Sequence, residues 1–256
     1  MYRYALIVSV TKQQYEQKYA GTVGGYLWAI VHPLSTVFVF YFVFAYGLRV
    51  PGPEGTPFIA WFIAGLVPWF LFQEAVMSGV NSVTGNTHLV TKVSFPKEIL
   101  PLASVLSAFW FNLYFWFLFF VLLVYLGIGF SFGKAFFIIF IVAELFLILG
   151  IVYLISALRV FFKDTAEIMA IILNVWFWAT PIVWEKSLVP DNFQFILDYN
   201  PMFYVIDGVR ESLIFDEFTS SRIWSDHAVV LLTLIPIAFL SYRFFCRLKE
   251  QFAEEL

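Results

Sequence analysis

The side chains in this chain that could do chemistry do not assemble into a catalytic pattern. The histidines, His32, His88 and His227, are scattered, and none has a second ligand at metal-binding spacing. There is no G-x-S-x-G elbow and no pair of carboxylates set in a soluble cleft. The nearest approach to a phosphate-cradling loop is GIGFSFGKA at 127–135, which lacks the glycine five positions before Gly133 and a Ser or Thr after Lys134. The expectation is a chain that is not an enzyme, holds no metal and binds no cofactor of its own. Energy for any work it does must come from a partner or an ion gradient.

Isolated polar residues inside apolar blocks are the more informative group. Glu144 falls near the middle of a long apolar run, where a charge costs at least about 2.5–3.5 kcal/mol on insertion scales, so it must be protonated, paired or turned to water. Asn112 falls at similar depth on the preceding run, and a hydrogen bond between the two across antiparallel helices is the simplest expectation. Structural glue and a proton-relay or channel-lining role both fit. Glu74 lies close enough to the inner interface to reach water. Aromatic residues gather on two runs, Phe38, Tyr41, Phe42 and Tyr46 on one, Trp176, Phe177 and Trp178 on the other. Such faces can stack against sugar rings in a channel wall, or pack against lipid and anchor at the interface.

The elements that must position these residues follow from composition. Of 256 residues, 61% are hydrophobic, 21% aromatic and only 13% charged, against roughly half apolar and a quarter charged in a soluble domain. The apolar residues form blocks of about twenty, the length that about 30 Å of hydrocarbon demands of a helix. The reading is a single all-α integral membrane domain with spans at 25–48, 58–79, 100–126, 136–158, 167–182 and 223–245. Pro33 and Pro68 interrupt the first two, and Thr180-Pro181 ends the fifth, since a residue before proline disfavours the helical region. Residues 2–20 read as an amphipathic helix lying on the membrane, with Tyr4, Ile7, Val8, Tyr15 and Tyr19 on one face and Lys12 and Lys18 flanking it. Leu6 and Val10 fall off that face. No cleavable signal peptide is evident.

Two segments are neither spans nor plain turns. The loop 81–98 combines a short amphipathic stretch with a Phe-Pro break, and reads either as a surface that docks a cytosolic partner or as a solvated turn. The stretch 183–222 holds apolar pieces too short to cross, which makes them re-entrant or interfacial helices. Lys and Arg in short loops favour both termini inside: Arg3, Lys12, Lys18, Lys92, Lys97, Arg159, Lys163, Arg243, Arg247 and Lys249 lie inside, against Arg49, Lys134, Lys186, Arg210 and Arg222 outside. The outer stretch is also acidic, with Asp216 and Glu217 among its carboxylates. A net charge of −3 without a basic block argues against nucleic acid as a partner. The one cysteine, Cys246, excludes an internal disulfide.

Six ordered stretches carry a resemblance: GTVGGYLWAIVHPL (21–34), FIAGLVPWFLF (62–72), NTHLVTKVSFPKEILPL (86–102), RVFFKDTAEI (159–168), WATPIVW (178–184) and YNPMFYVIDGVRESL (199–213). The chain resembles the membrane subunit of type-2 ABC exporters, particularly those that move lipid-linked polysaccharides such as O antigen, capsule or teichoic acid. One departure is Lys163-Asp164, where the family has Arg-Asp. The resemblance implies a permease in the bacterial inner membrane. Two copies would form the pore, above two copies of a separate cytosolic ATPase that binds ATP and Mg, and the substrate would be a polyprenyl-linked glycan. It implies that 2–20 is an interface helix and that 86–96 is a coupling helix, with Asn86, His88, Lys92, Phe95 and Pro96 facing or shaping the ATPase contact. Re-entrant helices at the outer mouth would carry Pro181, Asn200, Pro201 and Arg210. The channel or gate candidates are then these four with Phe38, Tyr41, Phe42 and Trp178. Rival readings are an exporter of drugs or other small amphipaths, and a membrane scaffold that transports nothing.

Overall fold

The computed structural model describes residues 2–17, 24–25, 27–92, 95–129, 131–215 and 221–256, and among them every regular element is helical. Lys18, Tyr19, most of the GTVGGY run, Val93, Ser94, Asp216 and Glu217, with the side chains of Arg222 and His227, lie outside the described residues. The helices are α1 (Tyr2–Gln17), α2 (Leu27–Tyr41, continued by a wide π-turn over Phe42–Gly47), α3 (Phe58–Val80), α4 (Thr87–Val90) and α5 (Ile99–Tyr125). They continue with α6 (Phe137–Phe161), α7 (Thr165–Ala179), α8 (Phe195–Asp198), α9 (Pro201–Arg210), α10 (Ser221–Leu248) and α11 (Phe252–Glu255). Among the described residues four stretches are long and apolar enough to cross a membrane: Ile30–Gly47, Phe58–Val80, Ile99–Tyr125 and Phe132–Phe161. The molecule is a multi-pass membrane protein.

The central pillar is α3, whose apolar window is 72% buried, packed by α5, α6, α7 and α9. Without water to drive association, membrane helices gain from close van der Waals approach, which small residues permit. Ala60, Ala64, Gly65 and Gly79 serve this on α3; a Cβ on Gly79 would lie 2.6 Å from both Val152 methyls of α6. On α6, Gly150 lets the backbone of α10 approach at Ala238. By contrast α2 rests on the core along one side only, through Val37, Phe40 and Tyr41, and no residue of its apolar window is fully buried.

The ends of the helices follow from local chemistry. Gly127, at φ 74°, ends α5 in a Schellman arrangement: Ile128 N–H donates to Leu123 O at 3.0 Å and Gly127 N–H to Val124 O at 3.1 Å. The fifth apolar block forms α7, whose 15 residues are too short alone for about 30 Å of hydrocarbon. It stops at Thr180, which is extended (φ −105°, ψ 134°) because Pro181 follows. Beyond it come two 3₁₀ turns, α8, and then α9.

On α1 the buried face differs from the expected apolar stripe. Val10 and Thr11 are buried against α5 and the inner core, with Leu6 and Ile7 beside them, while Tyr4 is 75% and Val8 48% exposed. The helix is apolar on two sides, so periodicity alone does not say which side meets protein.

Candidate functional site

Three places gather the candidate residues. At the end of the bundle where α7 stops, Asn200 opens α9. Its Oδ1 accepts from the N–H of Met202 at 3.1 Å and of Phe203 at 3.4 Å, with Pro201 at the first helical position. The same oxygen accepts from the Trp176 indole at 2.8 Å, and Asn200 Nδ2 donates to Thr180 Oγ1 at 2.9 Å. Thr180 in turn donates to Trp176 O at 2.8 Å, so the end of α7 and the start of α9 are one hydrogen-bonded unit.

Arg210 closes the other end of α9. Its side chain is buried, with the Nε donating to Trp61 O at 3.1 Å, Nη1 to Pro181 O at 2.6 Å and Nη2 to Ile182 O at 2.8 Å. The guanidinium lies over the Trp61 ring at 3.7 Å, a cation–π contact. It passes across Gly65, where a Cβ would come within 2.5 Å of Nη2. Pro181, Asn200, Pro201 and Arg210 are thus brought together, as a brace binding α3, the break after α7 and α9. On the solvent side Lys186 pairs with Asp207 at 3.0 Å and Glu211 at 3.8 Å.

The second place is a cleft of about 280 Å³ between α2, α3 and α7, lined by Thr36, Phe40, Trp69, Phe70, Gln73, Asn174, Phe177 and Trp178 among others. Phe40 bridges to Phe177 (5.7 Å between centroids) and Trp178 (6.4 Å), and Trp69 meets Phe177 at 5.4 Å. Phe38, Phe42 and Tyr46 lie on an exposed side of α2 as a stacked ladder, at 6.3 and 6.1 Å, with Tyr41 edge-on to Tyr46. Phe40, Trp69 and Gln73 escaped the sequence reading. Phe40 lies between the two aromatics singled out on α2, and the other two sit on a helix whose periodicity reads simply as buried.

A larger opening of about 550 Å³ runs between α2, α3 and α5, with His32, Gln73, Glu74 and Asn112 on its walls. The expected hydrogen bond from Asn112 to Glu144 is not made. Asn112 Nδ2 instead donates to the backbone carbonyl of Val67 on α3 at 2.9 Å. Glu144 is fully buried, and both its carboxyl oxygens lack a hydrogen-bond partner.

The third place is the end of the bundle where the chain passes from α3 into α5. Asn86 is buried and donates through Nδ2 to Ser82 O at 2.9 Å; one helical turn, α4, follows. His88 and Lys92 are exposed, while Phe95 and Pro96 are half-buried, with Phe95 against a core containing Val10, Val83, Val90, Ile99, Leu100, Phe245 and Phe252. Glu98 accepts from Lys249 Nζ at 3.0 Å, and its backbone carbonyl accepts from Tyr153 OH at 3.0 Å. Partial burial pushes the Glu98 carboxyl up, but a backbone hydrogen bond, Lys249 and Arg3 together outweigh it and hold the group below the ordinary carboxylate value. Among the described residues no group of three or more His, Cys, Asp or Glu could hold a metal ion.

Known proteins carry the same sequence pattern. Two O-antigen export system permease proteins of Klebsiella pneumoniae are each 28% identical to this chain, over 262 and 260 residues, covering 100% of it and 96% of each relative. One of Myxococcus xanthus is 25% identical over 265 residues, covering 100% of this chain and 97% of the relative. The membrane-domain model of ABC-2 type transporters matches residues 5–214, most of the chain and all of the outer brace. With that match over a multi-pass helical domain, the chain belongs to the ABC-2 type transporter family.

Proposed function

We propose that this chain is the permease subunit of an ATP-driven exporter that moves a lipid-linked polysaccharide of the O-antigen class outward across the bacterial inner membrane. The observation that carries the reading is kinship from end to end, since the named O-antigen permeases align over 100% of this chain and 96–97% of their own lengths. In this reading α7 and α10 complete six spans, both termini are cytoplasmic, and α1 is an interface helix. The outer region between α7 and α10 is re-entrant. It survives at membrane depth because Arg210 and Asn200 occupy backbone groups that lipid would leave unsatisfied.

A second copy would sit against α2, which of the four long apolar stretches among the described residues has no fully buried residue, and whose Phe38, Phe42 and Tyr46 ladder would then face the path between copies. Aromatic rings suit a glycan because sugar C–H faces pack on them without demanding one sequence. Two copies of a cytosolic ATP-binding subunit would engage the 86–96 segment through its exposed His88 and Lys92. ATP and Mg belong to that subunit, and this chain contributes binding, path and movement.

The test is to delete the chain in its host and to purify it, tagged, from native membranes. The expected outcome is loss of surface polysaccharide with lipid-linked glycan retained inside, and an ATP-binding subunit in the purified complex. Unchanged surface glycan, or a purified dimer with no ATP-binding partner, would overturn the reading.

A further inference from the structure

The match to the family domain ends at residue 214, so it assigns nothing to the last segment, 249–256. In the sequence this segment is a charged tail after the last apolar block. In the structure it is built into the inner core. Phe252 is fully buried, edge-on to Phe245 at 5.3 Å and to Phe161 at 6.1 Å. The short helix it opens, α11, packs on α4 and α6. Lys249 fastens the far end of the same loop: its Nζ donates to Glu98 Oε2 at 3.0 Å, and its carbonyl accepts from Lys97 Nζ at 2.9 Å.

The loop between α3 and α5 is therefore held from behind at both ends, Val90 and Phe95 in the shared apolar cluster and Lys97 and Glu98 by Lys249. Its free side carries His88 and Lys92. A force applied to a short loop is passed on only if the loop cannot yield, and one helical turn between two breaks has little stiffness of its own. The backing contacts supply it.

We propose that segment 249–256 is the back-plate of the coupling loop: Phe252 and Lys249 position α4 against α5 and α6 so that a push on the His88 and Lys92 side moves the helices instead of bending the loop. This rests on the reading of 86–96 as the surface that an ATP-binding subunit engages. Phe252 and Lys249 are positioning residues, and they touch neither nucleotide nor substrate.

The experiment compares the wild-type complex with Phe252→Ala, Lys249→Met and a chain ending at Leu248, reconstituted with the ATP-binding subunit in liposomes. ATP hydrolysis and glycan translocation are measured on the same sample. The expected result is hydrolysis within about twofold of wild type and translocation per ATP reduced about tenfold for the truncation, less for the single variants, with Phe252→Leu and Lys249→Arg restoring it. Wild-type translocation per ATP in the truncated chain would overturn the proposal, as would a fall in both activities in proportion to lost folded protein. Hydrogen exchange on the permease alone separates the two ideas. The back-plate requires faster exchange over Thr87–Val90 in the truncated chain with α5 and α6 unchanged, and unaltered exchange there refutes it whether or not an ATP-binding subunit is found.

Discussion

The two ends of the molecule are held together by different physics. At the outer end, one arginine donates to three backbone carbonyls from two separate stretches of chain, and one asparagine joins α7 to α9. At the opposite end, the loop before α5 rests on phenylalanines and aliphatic residues, with the partly exposed Glu98–Lys249 ion pair at its edge. Hydrogen bonds to fixed carbonyls weaken steeply with misalignment, so the outer brace admits one geometry. Apolar contacts are non-directional, so the loop before α5 takes its firmness from close packing and burial and not from bond alignment.

The comparison breaks first at Arg210. Arg210→Ala would leave the carbonyls of Pro181 and Ile182, which lie outside any helix, without this donor inside the protein, where each unsatisfied group costs about 1–3 kcal/mol, and would remove the second donor of the Trp61 carbonyl. The expected loss is on the order of 3 kcal/mol or more, read as a large drop in the thermal midpoint of the purified protein and in the yield of monodisperse material. Arg210→Lys keeps the charge but not the planar fork, and should fall in between. A midpoint unchanged in the alanine variant would mean that the outer end is not braced by directional bonds.

Asn200→Ala should have the next largest effect. Removing a side-chain N-cap costs about 0.5–2 kcal/mol, and here the Trp176 indole loses its acceptor as well. Asn200→Asp keeps the acceptor oxygens but loses the donor to Thr180, so its loss should be smaller than that of alanine. The same thermal measurement ranks the two, and equal losses would show that the Thr180 bond, which both variants lack, and not the cap is the important contact.

How much of this was legible in the sequence depends on the range of each interaction. The Asn-Pro start of α9, the Thr-Pro stop of α7 and the Gly127 turn are local signals, and the residues involved are neighbours or nearly so. The partners of Arg210 are not local. Trp61 lies 149 positions away, and all three acceptors are backbone carbonyls, which no residue type announces. Asn112 misled for the same reason: Glu144 was the visible partner, whereas the actual acceptor is the carbonyl of Val67 beside a proline. On α1 the apolar residues occupy two faces, and only the position of α5 selects Val10 over Tyr4 as the buried one. The tail 249–256 carries more charged residues than its one aromatic residue, and it is that residue, Phe252, that lies buried.

The smallest expected effect is at Glu98, and it sharpens the contrast from the inner side. Its carboxyl faces Lys249, with Arg3 of α1 contributing and Lys97 and Tyr153 bonded close by. Because the folded-state pKa lies below the ordinary value of about 4.3, the pair contributes stability that is fully present above that value and is lost as pH falls through the folded pKa. With Lys249 partly exposed, the contribution is modest, about 1 kcal/mol at most. Protease access to the tail should therefore rise as pH drops below about 4 in the wild type. Glu98→Gln should show slightly raised access already at neutral pH, with a shallower acid dependence. Equal acid dependence in both proteins would assign the effect to other carboxylates and leave Phe252 and its neighbours as what holds the inner end.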